Sequence, residues 1–590
     1  MRTFTKRSRV LVGATAVVAL GGLALTGCTT SGTTSAPKGG TVTVATVNDM
    51  TSLNSSTPQG NLDTNGMVGY LDGSYGTGFS YIDNKFNIVF DSKFGTVEKT
   101  SDSPLTVKYT LNKDLKWSDG QPITADDMLL AWAMGSGYYD ANACNDPSAN
   151  TSPAYFQLAG STAGLCLTSL PTIGDNNESM TITYSTPFVD WKLVNPIAQP
   201  AHIVAKKAGL SSAADLTKLL ESLPAGTANG PATVDPTLKK AADFVNTGYD
   251  ITSMPTDPDL LVSSGAFVLS DWQPGQTITM TQNKYYAAGL KPNVDKIVFR
   301  IIGDASAQVS ALQNGEVDIA YPQASADTLS ALKSSGATVL QGDQASYDHL
   351  DLNFNSSVFK DPNVREAFLK TVPRDQILAS IVTPVNPDAG VLNSQIWLPN
   401  QAQYANAVKN NGSSAFGAVD IDGAKKLLNG ATPTVTILYN TKNPNRVDEF
   451  QAIQASAAKA GFKVVDGGSP DWSKLLAGGN YDASLFGWIS PGAGTSQIPQ
   501  LFTTGGGGNY NGFTAANDLA NQTQTTLDPK KLDDLLLQID TLTFQEGYGL
   551  PLFQLPGIWG VSKKVNGVEY MGNQTGPVWN FWQWSVGSSK

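Results

Sequence analysis

The sequence predicts an α/β fold with antiparallel additions, because strand and helix patterns alternate along the chain. Residues 434–439 form a β-branched run that is typical of a strand. Apolar residues between Val447 and Ala457 then recur at helical spacing, and residues 462–465 form the next strand pattern. A strand, a helix and a strand within this length imply a parallel pair, since parallel neighbours need a crossover connection.

The length of the chain predicts more than one lobe. At 590 residues it exceeds what a single hydrophobic core usually organises. Early strands are predicted at residues 41–45 and 107–111, where apolar and polar residues alternate. An Asp-Gly turn at residues 119–120 leads into a helix, for which Thr124 is a good N-cap and Asp127 is the partner three positions on. No internal repeat is evident.

The N-terminus has the features of a secretory signal. A basic start is followed by the apolar run of residues 10–25, which ends in Leu-Thr-Gly-Cys at Cys28. This order resembles the bacterial lipobox, so we expect residues 1–27 to be removed and the Cys28 thiol to be acylated. The alternative is an ordinary signal peptide with a chance cysteine. Residues 28–39, rich in Thr, Ser and Gly, would form a flexible tether.

The charge of the chain excludes some partners. Removal of the signal would leave 35 Lys and Arg against 50 Asp and Glu, a net charge of −15. Such an acidic surface argues against nucleic acid and against an anionic membrane surface as partners. Contact with the membrane is therefore expected through the lipid anchor only.

Two further cysteines, Cys144 and Cys166, lie within one weakly patterned segment. In an oxidising compartment such a pair predicts a disulfide. A metal site is a poor alternative, because no histidine lies nearby.

An enzyme has little support in the sequence. The two histidines, His202 and His349, are far apart, and no Gly-x-Ser-x-Gly elbow follows a strand. Neither a nucleophilic triad nor a zinc site is evident. A pair of Asp or Glu residues stays open as an alternative, since such pairs have no sequence signature. We expect no catalytic residue, no cofactor and no metal.

One segment points to a family. Residues 109–128, YTLNKDLKWSDGQPITADDM, resemble the signature of the family 5 extracellular solute-binding proteins, the oligopeptide-, dipeptide- and nickel-binding components of ABC importers. Further segments are similar to this family in the same order, at residues 39–45, 200–203, 264–267, 312–318, 361–367, 422–428 and 550–552. The resemblance spans about residue 39 to the C-terminus.

The resemblance implies a bilobed periplasmic-binding-protein-like fold, type II and cluster C-like, with an extra subdomain in the first lobe. The expected ranges are a first lobe at 40–320 with an insertion at about 87–185, a second lobe at 321–550, and a return to the first lobe at 551–590. The two connections, near residues 319–322 and 549–553, would form a hinge, and closure around ligand is the expected motion.

The resemblance also implies a function and a location. The protein would be a monomer, anchored by lipid to the outer face of the bacterial cytoplasmic membrane. It would capture a peptide or a similar small organic solute and deliver it to the permease subunits of an ABC importer. A sensory or orphan binding lipoprotein without a transporter is the alternative, and a secreted hydrolase is less favoured. Docking surfaces carry no motif that would separate the first two.

The predicted ligand contacts come from three places in the sequence. Phe486, Trp488 and Ser490 lie where a strand pattern ends, and Tyr75 and Phe79 lie in the Gly-rich run of residues 73–80. His349 lies on an alternating strand, where an outward-facing or internally hydrogen-bonded histidine is the alternative. Trp488 is the best candidate, because it ends a strand pattern and leads into a Gly/Pro/Ser loop, where α/β lobes bind ligands.

One position departs from the family pattern. In peptide-type members an acidic residue stands three positions after this tryptophan and pairs with the α-amino group of the ligand. Here that position is Pro491, and residues 485–502 hold no Asp or Glu. Either another acid supplies this contact, or the ligand is not an ordinary peptide.

Other prominent residues are expected to build structure rather than bind ligand. Trp117 is predicted to lie in the core, Arg365 to form an intramolecular ion pair, and His202 to be architectural. The glycines at 505–508 lack the Lys-Ser/Thr that follows a phosphate loop, so they predict a loop at the cleft edge.

Overall fold

A computed structural model describes residues 39–587, except 141–152, 159–161, 163, 228, 477, 490–493, 496 and 505–507. The predicted signal, Cys28 and most of the tether therefore lie outside the described residues. Ser490, Pro491 and Cys144 also lie outside them. Cys166 is disulfide-bonded, and its pairing with Cys144 stays a prediction. Among the helices described, none combines the length and apolar character needed to cross a bilayer.

Most of the described strands are short, and two are long. They are β1 (Thr41–Thr46), β2 (Ser80–Ile82), β3 (Ile88–Phe90), β4 (Gly95–Asp102), β5 (Leu105–Leu111), β6 (Thr172–Ile173), β7 (Ser179–Thr183), β8 (Phe267–Gln273), β9 (Thr277–Gln282), β10 (Lys296–Ile301), β11 (Ile319–Ala320), β12 (Thr338–Leu352), β13 (Thr434–Tyr439), β14 (Lys463–Asp466), β15 (Ala483–Ile489), β16 (Gly549–Val561), β17 (Val565–Asn566) and β18 (Ser585–Val586).

The described α-helices lie between and around these strands. They are α1 (Asp63–Asp72), α2 (Ala125–Ser136), α3 (Ala201–Ala208), α4 (Ala213–Ser222), α5 (Pro236–Asp243), α6 (Ala305–Gln313), α7 (Ala326–Ser334), α8 (Pro362–Leu369), α9 (Arg374–Ile381), α10 (Tyr404–Asn410), α11 (Ile421–Leu428), α12 (Pro444–Ala457), α13 (Trp472–Leu476), α14 (Gln497–Phe502), α15 (Asn517–Thr525) and α16 (Pro529–Gln545).

Within the described residues, ten strands form one mixed sheet in the order β14-β13-β15-β12-β16-β11-β1-β10-β9-β8. The predicted parallel pair is confirmed, since β13 and β14 run parallel with Thr434 opposite Lys463. The strands at one end bury Val435, Leu485 and their neighbours in one core. Those at the other end bury Val42 and Val44 in a second core. The sheet thus passes through two lobes.

The long strands β12 and β16 join the lobes side by side. They pair antiparallel from Thr338 opposite Val561 as far as Asp351 opposite Gly549. The pairing is interrupted between Asp343 and Tyr347, and the backbone N–H of Ala345 instead donates to the carbonyl of Gly572 at 2.7 Å. Because both connections change lobe at this interruption, we propose the hinge here, further along the chain than residues 319–322. The predicted lobe boundaries otherwise stay a proposal.

The extra subdomain has its own core. The strands β4, β5, β7 and β6 form a separate four-stranded sheet. Apart from Ala288, its core residues lie between Phe79 and Val245, because α3, α4 and α5 bury apolar residues together with α2. The proposed insertion therefore extends to about residue 245 rather than ending at 185.

Three structural predictions made from the signature residues are confirmed. The backbone N–H of Thr124 donates to the Asp127 carboxylate at 2.8 Å, which completes a capping box at the start of α2. Trp117 is buried in the subdomain core. The Arg365 guanidinium donates to the carbonyl of Glu546 at 2.7 Å and lies 3.8 Å from its carboxylate.

Candidate ligand cleft

The subdomain of the first lobe is hydrogen-bonded to the second lobe on the side away from the hinge. The backbone N–H of Val189 donates to the carbonyl of Gln524 at 2.8 Å. The Asp190 carboxylate accepts from the backbone N–H of Thr495 at 2.7 Å. The Gln524 side chain in turn donates to the carbonyl of Thr495 at 2.9 Å. These contacts hold the lobes together in a closed arrangement.

A cavity of about 380 Å³ lies beside this bridge, and we call it the outer cavity. Its walls come from the subdomain and from the second lobe. They are Lys99, Val189, Asp190, Trp191, Lys192, Ile396, Trp397, Gln401, Gln403, Gly494, Thr495, Gln497, Ile498, Leu527, Pro529, Leu532, Asp533 and Leu536. Its volume is of the size that holds a small organic ligand.

A second cavity of about 260 Å³ lies against the interruption in β12, and we call it the hinge cavity. Its walls join α1, the interruption, β16 and the segment after β17. They are Asp63, Met67, Tyr321, Gln344, Ser346, Trp559, Tyr570, Met571, Gly572, Asn573, Gln574 and Gly576.

Trp488 connects the packing around the two cavities. Its ring contacts one apolar cluster that includes Trp397 and Ile498 of the outer cavity. It also contacts a second cluster that includes Trp559 and Met571 of the hinge cavity. A single aromatic side chain therefore supports both walls.

The Trp488 ring is held by other aromatic rings. His349 lies nearly parallel to it, with ring centroids 5.9 Å apart, and Tyr510 is nearly parallel on a 6.3 Å spacing. Phe486 meets Trp488 edge-on at 5.3 Å. Edge-on and offset parallel contacts are the arrangements that aromatic quadrupoles favour. Trp488 is thus preorganised before any ligand binds.

A polar network fixes His349 beneath this tryptophan. The fully buried His349 ring places Nδ1 2.8 Å from the Asp351 carboxylate, while Nε2 has no hydrogen-bond partner. The Tyr548 hydroxyl donates to the other Asp351 oxygen at 3.4 Å. His349 and Asp351 share one face of β12 because side chains of a strand alternate.

The opposite face of β12 carries a buried charge cluster. The Asp348 carboxylate pairs with the Arg446 guanidinium, and Glu449 lies 3.6 Å from the same guanidinium. Burial and the neighbouring Asp348 charge raise the pKa of Glu449 well above its usual range. Gly487 has no side chain, which leaves room for this pair against β15. The cluster fixes β12 to α12 and does not reach the cavities.

The family model of the bacterial extracellular solute-binding proteins, family 5, matches residues 93–510. This match covers well over half of the chain. The chain belongs to this family. Its members are solute-binding proteins, and the predicted bilobed α/β fold class is confirmed by the family match and by the shared fold of solved structures.

Named relatives agree with this assignment. The oligopeptide-binding protein OppA of Mycobacterium tuberculosis is 26% identical over 480 residues, 79% of this chain and 71% of the relative. A protein of the same organism named as an uncharacterized lipoprotein is 24% identical over 534 residues, 86% of this chain and 87% of the relative. The solved structure of the periplasmic EDTA-binding protein EppA superposes with a TM-score of 0.77 at 22% identity, covering 94% of this chain and 98% of that chain.

The structure describes five of the six predicted contacts, since Ser490 lies outside the described residues. Trp488 lines neither cavity itself but packs against wall residues of both, and its ring contacts Phe486 and His349. Tyr75 is exposed, and its pKa is raised by burial of its hydroxyl and by the charge of the cavity residue Asp63. We keep these four residues as a proposed site, with Trp488 as the ligand contact.

Phe79 does not belong to the cleft. Its ring is buried in the subdomain core, edge-on to Phe94 at 5.1 Å and to Tyr109 at 5.4 Å. The glycines before Phe79 predict a loop. In the structure β2 begins at the next residue, Ser80, and the Phe79 ring lies in the subdomain core. Since no surface is left for a ligand, we drop Phe79 from the proposed site.

Several cleft residues were missed by the sequence analysis. Asp63, Asp190, Trp559 and Tyr570 line the cavities but belong to no recognised motif. Trp559 lies within the buried strand β16, so in the sequence it resembles an ordinary core residue. The one available signal was the lack of an Asp or Glu at residues 485–502. It points to an acid elsewhere in the chain, and Asp63 and Asp190 are two among many.

Proposed function

We propose that this family member is the lipid-anchored solute-binding component of an ABC importer, and that it captures a peptide or a similar small organic solute between its lobes. The observation that carries the proposal is the closed arrangement of the cleft. The Asp190–Thr495 and Val189–Gln524 hydrogen bonds join the lobes on one side, and the β12–β16 pair joins them on the other. The outer cavity lies against the first of these connections and the hinge cavity against the second.

Closure on a solute gives the transporter a state to recognise. A ligand shifts a protein toward the closed form only if it binds that form more tightly. The preorganised Trp488 and the cavity walls on both lobes supply contacts that exist together only in the closed form. The permease subunits would then receive the protein with its solute enclosed.

The proposal includes no catalysis. The described walls of the two cavities hold no histidine and no cysteine. Their charged groups are Lys99, Lys192, Asp63, Asp190 and Asp533. Asp190 is occupied by the lobe bridge, so the walls offer binding contacts and no paired acid and base.

The location in the proposal rests on the N-terminal sequence. Residues 10–28 have the order of a lipobox signal, and one relative is named as a lipoprotein. Acylation of Cys28 would hold a monomeric binding body at the outer face of the cytoplasmic membrane. Two or three acyl chains give stable anchoring, whereas one binds reversibly. Incorporation of labelled palmitate that persists in Cys28→Ser would contradict the anchor.

The decisive experiment is identification of the solute that co-purifies with the protein. Mass spectrometry of the extract after denaturation names the compound, and its re-addition should raise the thermal midpoint of solute-free protein. A peptide would support the oligopeptide class, and another small organic compound would support a different importer cargo. A protein that retains no solute and is stabilised by no compound in a broad panel of peptides, sugars and opines would contradict solute capture.

A further inference from the structure

The hinge cavity contains one unbalanced charge. Asp63 is the only charged residue among its described wall residues. The Asp63 carboxylate makes no hydrogen bond and no ion pair with any residue that the structure describes. The internal residues outside the description, 141–152, 159–161, 163, 228, 477, 490–493, 496 and 505–507, include no Lys or Arg. Among the described residues, this carboxylate therefore has no counter-charge.

The rest of the wall is aromatic, sulfur-containing or neutral and polar. Trp559 and Tyr570 form an angled pair, with ring centroids 4.7 Å apart and planes 42° apart. The Tyr321 hydroxyl is 3.2 Å from the Thr46 hydroxyl and 3.7 Å from the Met67 sulfur. Aromatic faces attract cations through their quadrupoles, and tryptophan does so best. The polar remainder consists of amide and hydroxyl groups.

The position of Asp63 keeps the carboxylate near the aromatic residues. Asp63 is the first residue of α1, and its charge contributes to the raised pKa of both Tyr75 and Tyr321. Both phenol groups therefore lie within electrostatic reach of the carboxylate. Partial burial at the cavity wall also raises the pKa of Asp63 itself. A bound cation would relieve that cost.

We infer that the hinge cavity binds a positively charged nitrogen group of the solute, with Asp63 as its counter-charge and Trp559 and Tyr570 as the ring surfaces around it. The inference rests on the proposed function and names the ligand chemistry of the same cleft. A carboxylate with aromatic rings suits a primary ammonium through charge-assisted hydrogen bonds. It suits a substituted ammonium through cation–π contacts.

This placement couples the cation to closure. Gln344 and Ser346 line the hinge cavity and lie in the interruption of β12. Gln344 is itself tied to β16, because the Gln554 side chain donates to its carbonyl at 2.7 Å. A group bound at Asp63 therefore lies in the same cavity as the segment where we propose the hinge.

The test uses a matched pair of probes on the full-length protein after exhaustive dialysis. Choline and 3,3-dimethyl-1-butanol have almost the same shape, but only choline carries a charge. Isothermal titration calorimetry at millimolar probe should give at least tenfold tighter binding of choline. Asp63→Asn should reduce this preference to about twofold or less, and Asp63→Ala gives a second measurement of the same loss.

Asp327→Asn is the matched control. Asp327 is likewise a first-turn acid, of α7, and it lines neither cavity, so the same chemical change there should leave the preference for choline intact. Equal binding of the two probes, no binding of choline, or an unchanged preference in both Asp63 variants would each overturn the inference. Solute capture would still stand in all three cases if the co-purified solute stabilised the protein, so the two failures are distinguishable.

A second arm identifies the source of the cation. Tri-alanine carries a free amino terminus, N-acetyl-tri-alanine lacks one, and N-acetyl-lysine amide carries a side-chain ammonium only. Tighter binding of tri-alanine than of its acetylated form assigns the site to a peptide amino terminus. Binding of N-acetyl-lysine amide that Asp63→Asn weakens at least tenfold assigns it to a side-chain amine. Either result supports the cation site, and indifference to Asp63→Asn in both contradicts it.

Discussion

The two cavities of the cleft differ in how their charges are balanced. The outer cavity has two lysines and two aspartates in its wall, and the chain itself engages several of them. Asp190 accepts from Thr495, Asp533 lies 3.4 Å from the Gln403 amide, and the Lys192 ammonium lies 5.5 Å from the centre of the Trp191 ring. The hinge cavity has Asp63 alone.

This difference separates two tasks. Charges that are satisfied within the chain hold walls and lobes in place, and they have little interaction free energy left for a ligand. An unsatisfied charge among aromatic rings gains most when a ligand neutralises it. The outer cavity is thus suited to closure and to volume, and the hinge cavity to chemical selection.

The largest effect is expected at Trp488, which supports both cavities. Trp488→Ala should weaken binding of the co-purified solute by at least tenfold, because the walls of both cavities lose the aromatic ring that packs against them. Calorimetric titration measures this. Trp472→Ala is the matched control, since Trp472 also packs against Phe486 but against neither cluster that carries the cavity walls. Equal losses in the two variants would show that Trp488 acts through general packing of the lobe.

The next effect tests the closure contacts of the outer cavity. Asp190→Ala removes the acceptor for the Thr495 N–H and should weaken solute affinity roughly three- to tenfold, the range expected for the net contribution of a single hydrogen bond. Small-angle scattering should show a larger radius of gyration for the solute-bound variant than for the wild type. Unchanged affinity and dimensions would mean that this contact does not stabilise the closed form.

A smaller effect concerns stability and pH. The buried Asp540 carboxylate accepts hydrogen bonds from Ser394 and Gln395, and these two residues directly precede Ile396 and Trp397 of the outer cavity. Burial raises the pKa of Asp540 to about 6. Between the unfolded pKa and pH 6 the folded protein binds more protons than the unfolded chain, so stability falls as pH rises through this window. The contribution of Asp540 is at most about 3 kcal/mol.

Thermal unfolding between pH 4 and 7 measures this slope. Asp540→Asn cannot titrate, so its midpoint should fall less over that window than the midpoint of the wild type. The buried Asp127 of the subdomain, whose pKa burial also raises to about 6, is unchanged in this variant and leaves a residual slope. Identical slopes in the two proteins would contradict a buried titration at Asp540.

The smallest effect on binding is expected at Phe79. Phe79→Leu removes aromatic contacts with Phe94 and Tyr109 in the subdomain core and should destabilise the protein by roughly 1–2 kcal/mol. Solute affinity should stay within about twofold of the wild-type value, as measured by the same titration. A large loss of affinity with little loss of stability would return Phe79 to the cleft.

Local sequence signals were enough for the framework of the fold. The capping box at Thr124 and Asp127 and the parallel β13–β14 pair depend on residues near one another in the chain. Trp488 could be singled out because a strand end followed by glycine and proline is a local pattern. The family signature supplied the bilobed architecture.

The contacts that assemble the cleft depend on distant residues, and this is why they were not predicted. Asp190 and Thr495 are 305 positions apart and meet only after both lobes have folded. Asp63 is an ordinary first-turn acid in sequence, and its significance comes from Trp559 and Tyr570 near the other end of the chain. The packing of α3–α5 onto α2, on which we base the proposed later end of the subdomain, likewise has no linear signature.

The paired strands β12 and β16 have a mechanical consequence. Two separate loops would let the lobes twist and slide independently, whereas two hydrogen-bonded strands confine bending to the places where their pairing shifts, between Asp343 and Tyr347 and between Asp348 and His349. The hinge cavity lies against the first of these shifts. A group bound there acts on the angle between the lobes, and that angle sets the distance between the outer-cavity walls of the subdomain and of the second lobe.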